Sequence, residues 1–185
     1  MLDPDSGWQT SRLEVEPLGP GSADELFEVL DDVSLHGFVG GLPLDRTALA
    51  DRYARLATRR SPDGSQVWAN WVLRERLTGH PVGTLQATLP AAGPTSGFAE
   101  VAWVVGRSWQ RRGLASEAAR SLVDRLLADG WTVAAHIHPG HLASQAVARA
   151  AGMSPTPVTA GGEVRWLLLP PGADHGPPTV SCSRG

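Results

Sequence analysis

Residues 108–120, SWQRRGLASEAAR, join a strand-like run to a strongly helical one through a basic turn that contains glycine. A helix that begins directly after a strand presents unpaired backbone N–H groups, and these groups and the helix dipole attract an anion. Gly113 has no Cβ and Ala115 is small, so a ligand can approach the backbone closely. Arg111 and Arg112 add positive charge. The turn therefore predicts a phosphate site, with a merely solvated basic turn as the alternative.

Two other phosphate-binding patterns do not occur in the chain. There is no G-x-x-x-x-G-K-[ST], so a P-loop ATPase or GTPase is not supported. There is also no G-x-G-x-x-G after a strand, so a dinucleotide-binding fold is not supported.

One carboxylate, Glu100, lies in the apolar strand-like run FAEVAWVV over residues 98–105. Period-two alternation places it with Ala102 and Val104 on one face of the strand. A carboxylate on such a face is costly if it is buried without a partner. Glu100 is therefore either an exposed surface residue or a functional residue, and general base catalysis is the function that a carboxylate offers.

The three histidines His136, His138 and His141 form the pattern H-x-H-x-x-H. Alternation puts the first two on one face of the run WTVAAHIH, and the third follows a Pro-Gly turn. These histidines are candidate ligands of a zinc ion. However, the stretch has no Cys, Asp or Glu, and we expect no metal. Histidines that line a site and relay a proton, or that simply pack or face solvent, are the other interpretations.

The order of the predicted elements indicates one mixed sheet in an α/β architecture. A first strand (LEVEP) precedes a hairpin that turns at residues 78–81, and these pair antiparallel. A strand, a helix, a second strand and a second helix follow, and the last strand is EVRWLLLP.

Three helices have readable ends. Ser22 and Glu25 have the spacing of a capping box, and Asp45 is the predicted N-cap of the second helix. The helix after Gly113 carries a broad apolar stripe that predicts packing on a sheet, and Gly130 ends it.

Composition and length predict one soluble domain of 185 residues, with 42% hydrophobic residues and a net charge of −3. This balance indicates no large basic surface for nucleic acid. The single cysteine, Cys182, excludes an intrachain disulfide, and neither a signal peptide nor a membrane-spanning run is found. We expect a cytoplasmic protein, a monomer or homodimer, with flexible tails at residues 1–12 and 170–185 and a domain at residues 13–169.

The segment QRRGLA, residues 110–115, fits the Q/R-x-x-G-x-G/A signature of the GNAT N-acetyltransferases. AEVAWVVGRSWQRRGLASEAARSLV resembles the RimJ/RimL-like branch throughout, and HPGHLASQAVARAAGM resembles the second signature of that family. The hairpin WANWVLRERLTGHPVGTLQAT is similar to its central strands. The resemblance covers residues 13–169 and implies a GNAT-like mixed, mostly antiparallel twisted sheet with helices on both faces. In such a sheet the runs FAEVAWVV and WTVAAHIH splay apart.

The resemblance implies acetyl-CoA as co-substrate. Its pyrophosphate would lie on the backbone amides of residues 111–116, and its pantetheine arm along residues 103–105 like an added strand. The cofactor-binding residues that it implies are Trp103, Val104, Val105, Gln110, Arg111, Arg112, Gly113, Leu114, Ala115, Ser116, His141 and Ser144.

For catalysis, the resemblance supports Glu100 as the base, acting directly or through water. Ser144 matches a serine that orients the CoA sulfur, although it could serve only the start of its helix. His141 stands where the family has asparagine. Ala148 stands where many members have a proton-donating tyrosine, and the only tyrosine, Tyr53, lies on an N-terminal helix.

The implied activity is transfer of an acetyl group to a primary amine of a small molecule or a protein N-terminus. A non-catalytic acyl-CoA-binding or sensor domain is the alternative. We expect residues 31–45 and 90–97 to build the acceptor side, where Asp31 and Asp32 could attract a cationic amine unless that loop is only solvated. His136 and His138 are the other candidates to line it.

Overall fold

The structure, a computed structural model, describes residues 2–38 and 41–172. The strands are β1 (Trp8–Gln9), β2 (Leu13–Pro17), β3 (Gln66–Glu75), β4 (Pro81–Pro90), β5 (Phe98–Val105), β6 (Thr132–Ile137), β7 (Ser154–Ala160) and β8 (Glu163–Leu168). The helices are α1 (Ser22–Leu30), α2 (Arg46–Leu56), α3 (Leu114–Ala128) and α4 (Leu142–Ala150). None of these helices, which lie in the described part of the chain, has the length and apolar character needed to cross a bilayer.

The strands form one sheet in the order β1-β2-β3-β4-β5-β6-β8-β7. All neighbours pair antiparallel except β5 and β6, which pair in parallel. The predicted mixed, mostly antiparallel sheet is therefore confirmed. The β3–β4 hairpin turns at Gly79, whose φ of 72° is a conformation that glycine adopts without strain.

Helices cover both faces of the sheet, as predicted. In β3, Trp71 and Leu73 belong to the core shared with α3 and α4, whereas Val72 belongs to the core shared with α1 and α2. This alternation follows from the period of two along a strand. The predicted apolar stripe of α3 is buried, and the helix ends before Gly130, whose φ is 83°.

Residues 2–12, for which the sequence predicts a flexible tail, are instead held against the domain. Trp8 pairs with Val15 of β2. Its indole N–H donates to the Ser121 hydroxyl at 3.0 Å, and its ring meets Trp71 edge-on with the ring centres 5.1 Å apart. Two aromatic rings bury enough apolar surface to fix a short segment. Residues 173–185 of the predicted C-terminal tail lie outside the described residues.

Two local features differ from the sequence predictions. The predicted capping box is wrong, because Gly21 is the N-cap residue, no side chain of a described residue caps α1, and Ser22 is the first residue of the helix. The Ser22 hydroxyl instead accepts the N–H of Gly19 at 3.1 Å. The edge strand β7 was not predicted, since it contains Pro155 and Pro157, which lack the N–H of a central strand. The predicted Asp45 cap is confirmed: its carboxylate accepts the Ala48 N–H at 2.8 Å.

Candidate functional site

Strands β5 and β6 separate partway along their length. They pair only where residues 98–100 face residues 132–134. Beyond this point β5 stays paired with β4 as far as Val105, and β6 stays paired with β8 as far as Ile137. The edge of β5 over residues 101–105 therefore faces a gap. A cleft of about 670 Å³ occupies this gap, which confirms the expected splay.

The β5–α3 turn, residues 110–113, leads from the cleft into α3. Arg111 and Gly113 both have left-handed backbones, with φ of 62° and 77°. Among the described residues no side chain caps α3, and Glu117 is the first residue whose N–H bonds back to the helix start. The N–H groups of residues 114–116, which line the cleft, are thus the orphan donors of the first turn and suit an anion.

Two arginine–glutamate pairs hold the β5–α3 turn from outside. Arg112 pairs with Glu75 at the end of β3. Arg12 donates from Nε to Glu117 and from Nη1 to the carbonyl oxygen of Arg112, both at 2.7 Å. Burial raises the pKa of the Glu117 carboxyl, but hydrogen bonds from the Thr10 hydroxyl and from Arg12 outweigh it and leave the pKa lowered. Glu117 therefore stays ionised and fixes Arg12 beside the turn.

Neither Arg12 nor Glu117 was predicted as a site residue. The sequence places Glu117 on the polar face of α3, which predicts an exposed side chain, yet that side chain is only 16% exposed. The two residues lie 105 positions apart in the chain, and no local pattern links them.

The cleft contains the predicted cofactor-binding residues with one exception. Gln110 also closes the end of β5, because its side-chain amide donates to the Val105 carbonyl at 3.0 Å. The Arg112 side chain does not line the cleft, since it pairs with Glu75. The predicted residues that line the cleft are Trp103, Val104, Val105, Gln110, Arg111, Gly113, Leu114, Ala115, Ser116, His141 and Ser144.

Glu100, the predicted base, is exposed and does not line the cleft directly. It occupies the last pair between β5 and β6, opposite Ala134, where the gap begins. Ala102 and Val104 are exposed with it on one face of β5, which confirms the predicted alternation, and both line the cleft. Glu100 therefore lies at the closed end of the cleft, two residues before Ala102, which lines the cleft on the same face of β5.

The start of α4 faces the same cleft. The Ser144 N–H donates to Nδ1 of His141 at 3.4 Å, so His141 caps the helix as an asparagine would. Ala148, at the position of the family tyrosine, is completely buried. Tyr53 packs in the core between α1, α2 and the sheet, where burial raises its pKa to about 12. Neither Ala148 nor Tyr53 supplies a proton donor to the cleft.

All three histidines of the H-x-H-x-x-H pattern line the cleft. His136 accepts a hydrogen bond from Arg165 at 3.3 Å, and His138 accepts the N–H of Gly140 at 3.0 Å. Burial, and secondarily the charge of His138, lowers the pKa of His141 below its ordinary value of 6.5. In residues 2–38 and 41–172 no group of three His, Cys, Asp or Glu side chains is arranged to hold a metal ion.

The segment between α1 and α2 contributes Ser34 and Phe38 to the cleft. The Phe38 ring stacks on His141, with the ring centres 4.4 Å apart and the planes 21° from parallel. Asp31 and Asp32 do not line the cleft. The Asp32 carboxylate accepts the Ser34 N–H at 2.8 Å and caps a 3-10 turn. An aromatic side chain in a glycine-rich loop was the signal that could have identified Phe38.

Comparison with protein families gives one match over most of the chain. The model of the acetyltransferase (GNAT) domain family matches residues 12–154. Comparison with curated proteins gives no match.

Several solved structures share the fold. An acetyltransferase of the GNAT family from Bacillus anthracis has a TM-score of 0.70 at 15% identity, over 89% of this chain and 98% of its own. RimL, a ribosomal alpha-N-protein acetyltransferase in complex with coenzyme A, has a TM-score of 0.69 at 14% identity, over 86% of this chain and 95% of its own. AAC(6')-Ib in complex with paromomycin and acetyl-CoA has a TM-score of 0.68 at 17% identity, over 86% of this chain and 94% of its own.

Proposed function

This chain belongs to the GNAT acetyltransferase family, and from that premise we propose that it is an acetyl-CoA-dependent N-acetyltransferase. The acceptor is a primary amine of a small molecule or a protein N-terminus, which attacks directly in a ternary complex. Complexes with CoA and acetyl-CoA among the proteins of the same fold support the choice of co-substrate.

The residues of the cleft fit a thioester carried on a long arm that ends in a diphosphate. The N–H donors of residues 114–116 and the charge of Arg111 suit the diphosphate. The open edge of β5 at residues 103–105 offers its backbone groups to the amides of the arm, as a neighbouring strand would. His141 and Ser144 face the same space from the start of α4.

When bound, acetyl-CoA supplies the activated acetyl group, and the chain must orient the amine and remove its proton. Orientation alone is worth on the order of 7–11 kcal/mol in favourable intramolecular reactions. Glu100 acts as the base, and its exposed place at the closed end of the cleft favours action through a water molecule. The Ser144 hydroxyl orients the sulfur.

The observation that carries this proposal is that the orphan donors of α3 and the open edge of β5 border one cleft. Calorimetry with CoA and with pantetheine, which lacks the nucleotide diphosphate, tests it. We expect micromolar affinity for CoA and binding of pantetheine that is at least about tenfold weaker, a difference of about 1.4 kcal/mol. No detectable heat with CoA would remove the basis of the assignment.

A non-catalytic acyl-CoA-binding or sensor domain is the second candidate, and the buried Ala148 favours it because no tyrosine can donate a proton from that position. Free-thiol release from acetyl-CoA in the presence of a panel of amines separates the two. Amine-dependent release that falls in Glu100→Gln supports the enzyme. Tight CoA binding, with release no faster than in buffer for every amine, supports the sensor.

A further inference from the structure

The α1–α2 segment, which the proposed CoA site does not use, meets the β6–α4 turn at one wall of the cleft. Phe38 stacks on His141 in this acceptor wall, which we define as residues 34–38 and 138–142. Phe38 and Leu142 remain 44% and 72% exposed. Apolar side chains that are grouped and exposed at a cleft are typical of a binding surface.

Apart from the proposed base Glu100 at its closed end, the cleft offers little negative charge to a ligand. Glu163 is the only Asp or Glu among its lining residues in the described part of the chain, whereas Arg107 and Arg111 both line it. Arg107 donates to the Ser34 hydroxyl at 3.0 Å, so its guanidinium is held at the acceptor wall. The Asp32 carboxylate accepts the Ser34 N–H and interacts with Arg107, but it does not line the cleft.

We infer that the acceptor is a monoamine, meaning a primary amine next to an apolar or aromatic group and without further ammonium groups. This inference rests on the proposed function and names its substrate class. The apolar group packs on Phe38 and Leu142, and the single amine group is the one that reaches Glu100, the proposed base, in a cleft whose described lining carries only one carboxylate, Glu163. Each additional ammonium group meets the Arg107 guanidinium, and like charges at a binding surface suppress the wrong partner.

Two sources supply this chemistry: a free arylalkylamine, and a protein N-terminus whose first side chain is apolar. The test therefore uses matched pairs with the full chain and acetyl-CoA, and measures kcat/KM from thiol release. The first pair is 2-phenylethylamine and ethylamine, and the second is phenylalanyl-triglycine and lysyl-triglycine. Kanamycin and spermidine represent polycations.

We expect at least about a tenfold higher kcat/KM for the aromatic member of one pair, the size of effect that one apolar group gives in a pocket. The pair that shows it identifies the source. Kanamycin, spermidine or lysyl-triglycine as the best acceptor would overturn the inference and leave the proposed function standing. If no amine in the panel causes thiol release above that in buffer, the enzymatic function is overturned, and the inference with it.

A variant pair tests the wall itself. Phe38→Ala is expected to lower kcat/KM for the preferred aromatic acceptor by about tenfold and to change the affinity for CoA little. Leu77→Ala, at a hairpin position that is 93% exposed, is the control and leaves kcat/KM unchanged. An equal loss with the aromatic and the small amine in Phe38→Ala would contradict recognition by the wall.

Discussion

At the residue scale, the fold controls the charge of the groups around the cleft. Thr10 and Arg12 keep Glu117 ionised, so it can anchor the β5–α3 turn. Partial burial lowers the pKa of His141, which favours the neutral ring whose nitrogen caps α4. Glu100 is exposed, so a water molecule can reach it while it lies at the closed end of the cleft.

Glu100→Gln removes the proposed base while keeping the size of the side chain. We expect kcat to fall by about 10²-fold or more, because general base catalysis contributes roughly this factor, with the calorimetric Kd for CoA unchanged. Glu28→Gln, an exposed position on α1, is the matched control. A kcat for Glu100→Gln that equals that of the control would assign the base to another group.

His141 makes the stability of the protein depend on pH. Its folded pKa lies below the unfolded value of about 6.5, so the cap is fully present above that pH and is lost as the pH falls through the folded pKa. His141→Asn caps without titrating. We therefore expect the Tm of the parent relative to this variant to fall between pH 8 and pH 5, measured by thermal unfolding. The same difference in Tm between the parent and His141→Asn at pH 8 and at pH 5 would contradict this prediction.

At the element scale, α3 begins and ends at glycines of nearly the same conformation. Gly113 and Gly130 have φ of 77° and 83°. A Cβ on Gly113 would lie 3.4 Å from the Arg12 guanidinium, whereas a Cβ on Gly130 would meet no atom within 4 Å. The two positions therefore separate backbone strain from the proposed role in binding.

Gly113→Ala and Gly130→Ala should each lower the free energy of unfolding by about 1–2 kcal/mol, the cost of a left-handed alanine. Only Gly113→Ala should weaken CoA binding, by about tenfold or more, because Gly113 lines the cleft beside the proposed diphosphate donors and its new methyl group would contact the Arg12 guanidinium that holds the turn. Denaturant unfolding and calorimetry measure the two effects. An equal Kd for both variants would place the diphosphate elsewhere.

The elements that the sequence predicts well are those whose local pattern and tertiary environment agree. The stripe of α3, the turn at Gly79 and the alternation of β5 are each consistent with the final packing. β7 was missed because its two prolines fit a strand only at an edge, and the edge is decided by the whole sheet. Ser22 has the spacing of a cap, but Gly21 occupies the N-cap position with a helical backbone, so Ser22 is already the first residue of α1.

At the scale of the whole molecule, contacts between distant segments complete the site. Arg12 reaches the β5–α3 turn from the start of the chain, and Phe38 stacks on His141 in the acceptor wall. Sequence patterns report contacts within a turn or a strand, so they identify the turn and the splayed strands. They carry no information on which remote side chain meets them.

Removal of residues 1–12 tests this long-range arrangement. We expect the Tm to fall by about 5 °C or more, because Trp8 loses its contacts with Trp71 and Ser121, and we expect CoA binding to weaken because Arg12 leaves the turn. Arg12→Met should reproduce the loss of affinity with a smaller loss of Tm. A truncated protein with the parent Tm would mean that these residues behave as a free tail.

The borders of the sheet bear on how copies of the protein meet in concentrated solution. Within the described residues, one border is β1, which has only two residues, and the other is β7, where Pro155 and Pro157 interrupt the row of donors. Neither border offers the long, regular ribbon of N–H and C=O groups on which fibrils grow. Self-association through these borders is therefore disfavoured.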